Sequence, residues 1–328
     1  MNAILTEPVQ GPLAWKGPEL ARDDAWVFRL TDDAVAELER AVRMVKERGI
    51  TLENITRDDF PLPTFGPQLA AIASELDAGR GFSFMRGLPA ARYTEDELAT
   101  IFWGIGSYIG RAVPQNDRGH LLGHVRDEGH SLAEPNARGY QTRASQSLHV
   151  DRCDVVGLLC VQKSRSGGTS RIVSSAAVYN ELLRRHPWYI GILYKSFAID
   201  MRAEERPGDP PVYYRPVYSY FDGRLTCGAN LTYIKAGQER IGQPLSAIEL
   251  EALETFYRVA EELLLPMDFE PGDMQFLNNY VTLHDRTAYE DDPQRKRHLM
   301  RLWLAVPNPR KLAPGVNWHY SGRVGASL

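Results

Sequence analysis

The feature that most constrains this chain is the apolar run Asp154 to Val161 (DVVGLLCV), headed by His149-Val150-Asp151. The run reads as a strand, and in a strand residues i and i+2 face the same way, so His149 and Asp151 project together. With 8 His and 42 acidic residues in 328, about one His-x-acid triplet is expected by chance, so the pair gains meaning only from its context.

Upstream of the triplet the chain reads as helical. Residues 1–30 are rich in Pro and Gly and form an irregular arm with Trp15 and Trp26 as anchors. Thr31 caps a helix with Val35, Leu38, Val42 and Val45 in an apolar stripe, stopped by Gly49. A second helix carries Leu69, Ile72 and Leu76, and Phe82 to Arg86 is a short strand. Thr94-Glu95-Asp96-Glu97 is a capping box opening a third helix with Leu98, Phe102, Ile105 and Ile109 on one face. Residues 31–110 are therefore mostly helical. Residues 111–146 are polar, Gly-rich and poorly periodic, which suits a lid or binding loop, and their histidines (His120, His124, His130) read as loop residues.

From His149 the texture changes to strands. Thr169 to Ser174 follows the turn at Ser166-Gly167-Gly168, and a helix from Ala176 to Arg185 is ended by Pro187. Tyr213 to Tyr220 and Leu225-Thr226 flank Asp222-Gly223, a hairpin signal. Ser246 to Glu249 is a second capping box, and strands follow at Met274 to Leu277 and Leu299 to Val306. With no repeat or low-complexity segment, the expected class is α+β. One domain over 1–328 is expected, its sheets folded on each other as a sandwich or jelly roll behind a helical N-terminal region.

Bulk properties narrow the partners. A net charge of −4 and a pI near 6.1 give no electrostatic case for nucleic acid or an anionic membrane. No run approaches the ~18 apolar residues of a membrane span and no apolar leader is evident. Three cysteines (Cys153, Cys160, Cys227) without CxxC spacing point to a reducing compartment, so a cytoplasmic protein is expected. Subunit number is left open, a homo-oligomer included.

The second histidine is His284, in Asn278-Asn279-Tyr280-Val281-Thr282-Leu283-His284. Arg297 and Arg301 come next, on one face of a strand with Leu299 and Trp303. Arginines on an otherwise apolar strand need an anion, and a carboxylate fits the guanidinium fork. Arg295 and Lys296 read as solvated, and His298, facing away, as structural.

Taken in order, His149-x-Asp151, Gly167-Gly168-Thr169-Ser170, Asn278-Asn279, His284 and Arg297 with Arg301 resemble the TauD/TfdA-type Fe(II)- and 2-oxoglutarate-dependent dioxygenases. Gly81 to Gly87 and Gly106 to Gly110 are similar to that family's N-terminal half, and the resemblance covers roughly residues 60–308. It implies a double-stranded β-helix (jelly-roll) core, here residues 147–308, with flanking helices. It implies His149, Asp151 and His284 as the iron ligands, the 2-His-1-carboxylate set that leaves metal positions open for the 2-oxo acid and O2. It further implies Arg297 as partner of the distal carboxylate of 2-oxoglutarate, assisted by Ser170, or by Thr169 if the register differs by one. Arg301 matches a position that contacts substrate or co-substrate.

The implied reaction hydroxylates or desaturates an unactivated C–H bond of a small organic substrate and releases succinate and CO2. Asp151 argues against a halogenase, in which a small residue replaces the carboxylate. Ser145, Gln115 and Asn116 are candidate substrate contacts with Arg301, which favours an anion. Tyr213 to Tyr220 and the loop 115–143 either line a pocket or serve as ordinary structure. Ser145 stands where taurine enzymes are expected to have asparagine, which argues against simple taurine use. Two alternatives are a JmjC-type peptide oxygenase, which usually anchors 2-oxoglutarate with lysine, and a non-catalytic jelly-roll metal or ligand sensor. A zinc hydrolase would leave Arg297 without a purpose.

Overall fold

The central strands are buried at nearly every position, with alternate residues joining different apolar clusters, so each sheet has a core on both faces. The computed structural model describes residues 3–116, 118–129, 139–202, 208–316 and 318. Eight strands frame the site: β1 (Leu122–Val125), β2 (Gln146–His149), β3 (Val155–Gln162), β4 (Ser170–Ser174), β5 (Leu265–Met267), β6 (Met274–Asn278), β7 (Thr282–Arg286) and β8 (His298–Ala305). The larger sheet runs β6-β3-β8-β1, and the smaller runs β5-β4-β7-β2. All of these pairings are antiparallel.

In β8, Met300, Leu302 and Leu304 join one cluster while Leu299 and Trp303 join another. The second cluster also holds Val156 and Cys160 of β3, Ile172 of β4 and Leu265 and Met267 of β5, so it lies between the two sheets. On the outer face of the larger sheet pack α1 (Asp32–Glu47), α2 (Phe65–Ala78) and α3 (Glu95–Ile109), through the apolar stripes read from the sequence. The outer face of the smaller sheet (Leu148, Val173, Leu283) is covered by α4 (Ser175–Arg185), α5 (Leu231–Arg240) and α6 (Ala247–Glu262).

The Thr31 cap and both capping boxes form, with Thr31 Oγ1 accepting from Ala34 N at 3.2 Å. Asp222 and Gly223 take φ of 51° and 76°, the left-handed pair that a two-residue hairpin requires, and join Tyr218–Phe221 to Arg224–Cys227. The stretch Tyr213 to Tyr220 is not one strand. Val212–Pro216 pairs with Ser196–Asp200, and the chain breaks at Val217 before the hairpin.

Residues 111–146 are not purely loop. Arg111–Ala112 and β1 both pair with β8, so His124 stands on a strand, its Nδ1 2.8 Å from His298 Nε2. Apolar residues are sparse there, and the order comes from β8's free edge rather than from local pattern. His130 lies outside the described residues. The N-terminal arm also gains structure: Val27–Arg29 pairs in parallel with Phe82–Arg86, and Trp15 is buried with Nε1 donating to Arg80 O at 2.8 Å.

The start of α2 is closed from a distance. Thr64 makes no side-chain cap; the buried carboxylate of Glu37 on α1 accepts from Thr64 N and Phe65 N, both at 2.9 Å. Burial acts to raise the Glu37 pKa, but the amide donors and Arg40 outweigh it and hold the carboxyl below its ordinary value. Its contribution is therefore complete at neutral pH and is lost as pH falls through that lowered value. Glu37→Ala should cost about 1.5–3 kcal/mol in urea unfolding at pH 7, and the difference from wild type should shrink in acid.

Candidate active site

The register of β2 and β7 places His149 directly opposite His284, with their rings 4.4 Å apart between centroids. Val150 turns into the outer cluster, so Asp151 comes back to the side of His149. One donor atom from each of His149, Asp151 and His284 lies within 4.8 Å of the others. Nε2 of His149 is 3.9 Å from Asp151 Oδ1, and Nε2 of His284 is 3.6 Å from Asp151 Oδ2.

Neighbouring bonds set what these groups present. His149 Nδ1 lies 2.8 Å from Ser147 O, so Nδ1 carries the proton and Nε2 offers a lone pair. Burial first, and then His149 alongside, push the His284 imidazole down to about 3. It is neutral near pH 7, and its approach to Asp151 is not an ion pair. Burial would raise the Asp151 pKa, but Arg301, the two imidazoles and Trp303 lower it below the usual carboxylate value. Trp303 Nε1 donates to Asp151 Oδ2 at 3.1 Å, and Asp151 N donates to Asn279 Oδ1 at 3.0 Å. Two imidazoles and a carboxylate converging without hydrogen bonds among themselves are a donor set suited to a divalent cation.

A second group of buried polar atoms lies beside the triad. Of Arg295, Lys296 and Arg297 only Arg297 is buried, and its Nη1 has no partner. Its guanidinium lies 5.1 Å from the centre of the Tyr289 ring, and that of Arg286 lies 4.7 Å from the same ring. Arg286 is also buried, with Nε and Nη1 unpartnered and Nη2 donating to Thr142 O at 3.0 Å. Burial, and Arg297 nearby, push the Arg286 guanidinium down to about 10. Ser170 pairs with Arg286 across β4 and β7 and is buried. Thr169 is engaged elsewhere, its hydroxyl donating to Asp268 Oδ1 at 3.1 Å. The sequence reading passed over Arg286, although His284 and Arg286 satisfy the same i, i+2 rule that paired His149 with Asp151.

The triad opens into a cavity of about 300 Å³, whose lining includes His149, Asp151, Arg301, Ser145, Gln115 and Asn116. Arg301 Nε donates to Gln115 Oε1 at 2.7 Å and Gln115 Nε2 donates to Arg301 O at 2.7 Å, so the buried amide clamps the arginine. Arg301 also lies over the Tyr140 ring at 4.8 Å. The cavity further receives Arg152, Arg202, Tyr213, Arg215, Asn230 and Tyr233, and of these Tyr213 and Arg215, both in the segment 213–220, were among the sequence-based candidates.

A two-histidine, one-carboxylate site between two antiparallel sheets, with buried arginines that keep unpartnered nitrogen atoms, has the form of a mononuclear non-haem oxygenase centre. The chain belongs to the taurine catabolism dioxygenase TauD, TfdA family, whose profile matches residues 47–303, and it is an oxidoreductase of the dioxygenase class. It is 33% identical over 335 aligned positions to FR-33289 synthase of Streptomyces rubellomurinus, covering 100% of this chain and 99% of that protein. Among solved structures it is similar to asparagine oxygenase in complex with Fe(II), 3-hydroxyasparagine and succinate. The TM-score there is 0.69 at 15% identity, over 85% of this chain and 93% of that one. The oxygenase OrfP with Fe and alpha-ketoglutaric acid gives 0.64 at 11% identity, over 85% and 94%.

Ligating histidines and carboxylates lose about 10- to 100-fold in metal affinity when their supporting hydrogen bonds are removed. Trp303→Phe keeps an aromatic ring but removes the donor to Asp151. It should weaken Fe(II) binding by about that factor in an anaerobic titration, with the thermal midpoint of the metal-free protein little changed.

Proposed function

We propose that this protein is an Fe(II)- and 2-oxoglutarate-dependent oxygenase that hydroxylates, or desaturates, an unactivated C–H bond of a small organic anion. Succinate and CO2 are the co-products. The observation that carries the reading is the convergence of donor atoms of His149, Asp151 and His284 where His149 and Asp151 line the cavity, together with the buried Arg297 whose Nη1 has no partner. The strand orders β6-β3-β8-β1 and β5-β4-β7-β2 support a double-stranded β-helix as the core of one domain spanning the chain. Among the described residues no helix is long and apolar enough to cross a membrane. The three cysteines are buried and unpaired, which supports a cytoplasmic setting.

In this reading His149 Nε2, His284 Nε2 and Asp151 hold the iron. When bound, iron supplies O2 activation coupled to oxidative decarboxylation of 2-oxoglutarate. The protein's own work is positional. Arg297 pairs with the distal carboxylate of 2-oxoglutarate, with Ser170 and Arg286 as further donors and Tyr289 stacked under both guanidinium groups. This satisfies buried N–H groups that otherwise carry a desolvation cost. Trp303 and Asn279 hold Asp151 in place, and Tyr140 and Trp303 shield the triad side of the cavity from water. Arg301, clamped by Gln115, presents positive charge to the substrate, with Asn116 and Ser145 at the same wall.

Anaerobic addition of Fe(II) and 2-oxoglutarate should produce the weak visible charge-transfer band of the chelate. His149→Ala should abolish it, and Arg297→Ala should raise the 2-oxoglutarate concentration for half-maximal band by about 10- to 100-fold. No band in well-folded wild-type protein would reject the assignment. Slow substrate-independent turnover of 2-oxoglutarate to succinate should also occur, and a sensor protein would show none.

Arg301→Ala should weaken binding of the primary substrate more than that of 2-oxoglutarate. The opposite ranking, read from the two KM values, would assign Arg301 to the co-substrate instead.

A further inference from the structure

A second pair of imidazoles meets a carboxylate on the far face of the larger sheet. His298 opens β8 in the row that continues through Met300, Leu302 and Leu304, which pack in the cluster under α3. His124 of β1 stands opposite Met300 in the register, which puts its ring on the same face. Its Nδ1 lies 2.8 Å from His298 Nε2, and Glu95, in the first turn of α3, approaches both rings. Glu95 Oε1 is 3.9 Å from His124 Nδ1, and Oε2 is 3.7 Å from His298 Nδ1. One donor atom from each of the three residues lies within 4.8 Å of the others. Trp303, which bonds Asp151, has the opposite parity on β8, so this group and the triad lie on opposite faces of the strand.

We propose that Glu95, His124 and His298 form a second metal site, separate from the triad, for a divalent transition metal of the zinc class. The residue types select the ion, because imidazole nitrogens favour zinc and its neighbours over magnesium or calcium. Three protein ligands leave a fourth position for water, and Glu95 is exposed, so an ion can enter from solvent. Burial holds both imidazoles below their ordinary pKa, with His298 pushed down to about 4, against the pull of Glu95. Both rings are therefore uncharged near pH 7 and keep a lone pair to give. The Glu95 side chain is too far from either ring to hydrogen-bond, and among the described residues those two rings are its only ion-pair neighbours. Arg126 opposes a cation here, while Glu95 and Glu128 favour one. Two nitrogens on one tetrahedral zinc stand about 3.3 Å apart, so the rings need to part by about half an ångström. A metal in this position ties β1 to β8 and to the start of α3. In the chain β1 lies between Gln115-Asn116 and Tyr140, all of which line the cavity, so the site steadies that wall without touching the triad.

The test is calorimetric titration of Zn2+ into tag-free, metal-free full-length protein near neutral pH. Wild type should take up two equivalents per chain, and His149→Ala should keep the one that His124→Gln loses. Glu95→Gln lies outside the Thr94 and Glu97 capping pair, so it should keep the fold and weaken this equivalent by about tenfold or more. In the His149→Ala background Zn2+ should raise the thermal midpoint, and adding His124→Gln should abolish that rise. A folded His149→Ala protein that binds no Zn2+ would overturn the site and leave the two rings as a hydrogen-bonded clamp. So would an equivalent in that background that His124→Gln leaves unchanged. Identical wild-type and Glu95→Gln isotherms would overturn it even if the histidine variants failed to fold. Displacement of the Zn2+ by a large excess of Mg2+ would overturn the zinc-class assignment. Because the deciding measurements are made with the triad disabled, they stand apart from the fate of the oxygenase reading.

Discussion

The antiparallel pairing of β2 with β7, which sets His149 opposite His284, is the interaction on which the rest of the site depends. A slip of one residue would turn one imidazole to the helical side of the smaller sheet and bring an apolar residue to the cavity. The register is held from both faces. Leu148, Val150 and Leu283 are buried under α4 and α6, and the alternate positions meet the other sheet. The turn between β6 and β7 then adds Asn279, whose side chain accepts the backbone N–H of Asp151. The third donor is thereby fixed by the same element that delivers the second.

How much of this was legible in the sequence depended on how local each signal was. The i, i+2 rule paired His149 with Asp151 and put Arg297 and Arg301 on one inward side, because side-chain direction along a strand needs no knowledge of the partner strand. The helix caps at Thr31, Thr94 and Ser246 were readable for the same reason, since the cap and its acceptor lie within one turn. Glu37 capping α2 was not readable, because its two amide partners belong to a different helix. Likewise β1 has a weak apolar pattern and exists because β8 offers it an edge. Arg286 was missed although it sits in strand-like sequence, and Arg215 was covered only by the open reading of the segment 213–220. An arginine beside tyrosines looks the same on a wet strand as in a closed cavity, and only tertiary packing tells them apart.

Arg297, Arg286 and Arg215 share an unusual condition: each is buried, and each has nitrogen atoms without a hydrogen-bond partner. Arg310 shares it at its Nε, whereas the half-buried Arg86 and Arg171 are matched. Arg86 bonds Asp273 through Nε and Nη2, and Arg171 bonds Asp285 and Glu261. The unmet N–H groups of Arg297, Arg286 and Arg215 fall in two patches, one beside Tyr289 and one beside Tyr213 and Trp318. Stacking on those rings offsets part of the desolvation cost without using the N–H groups, which stay available.

The two patches are built into the fold differently. The patch around Arg297 and Arg286 continues β7 beyond His284, and in the proposed reading it takes the co-substrate, whose fixed length lets its distance from the metal be built into the sheet. The patch around Arg215 lies on the Val212–Pro216 strand, outside the two main sheets and supported by α5 and the Gly228 segment. That strand can change length or position without disturbing the triad. The metal ligands thus rest on the paired sheets, while part of the cavity wall rests on a layer outside them, an arrangement in which the wall can vary around an unchanged metal centre.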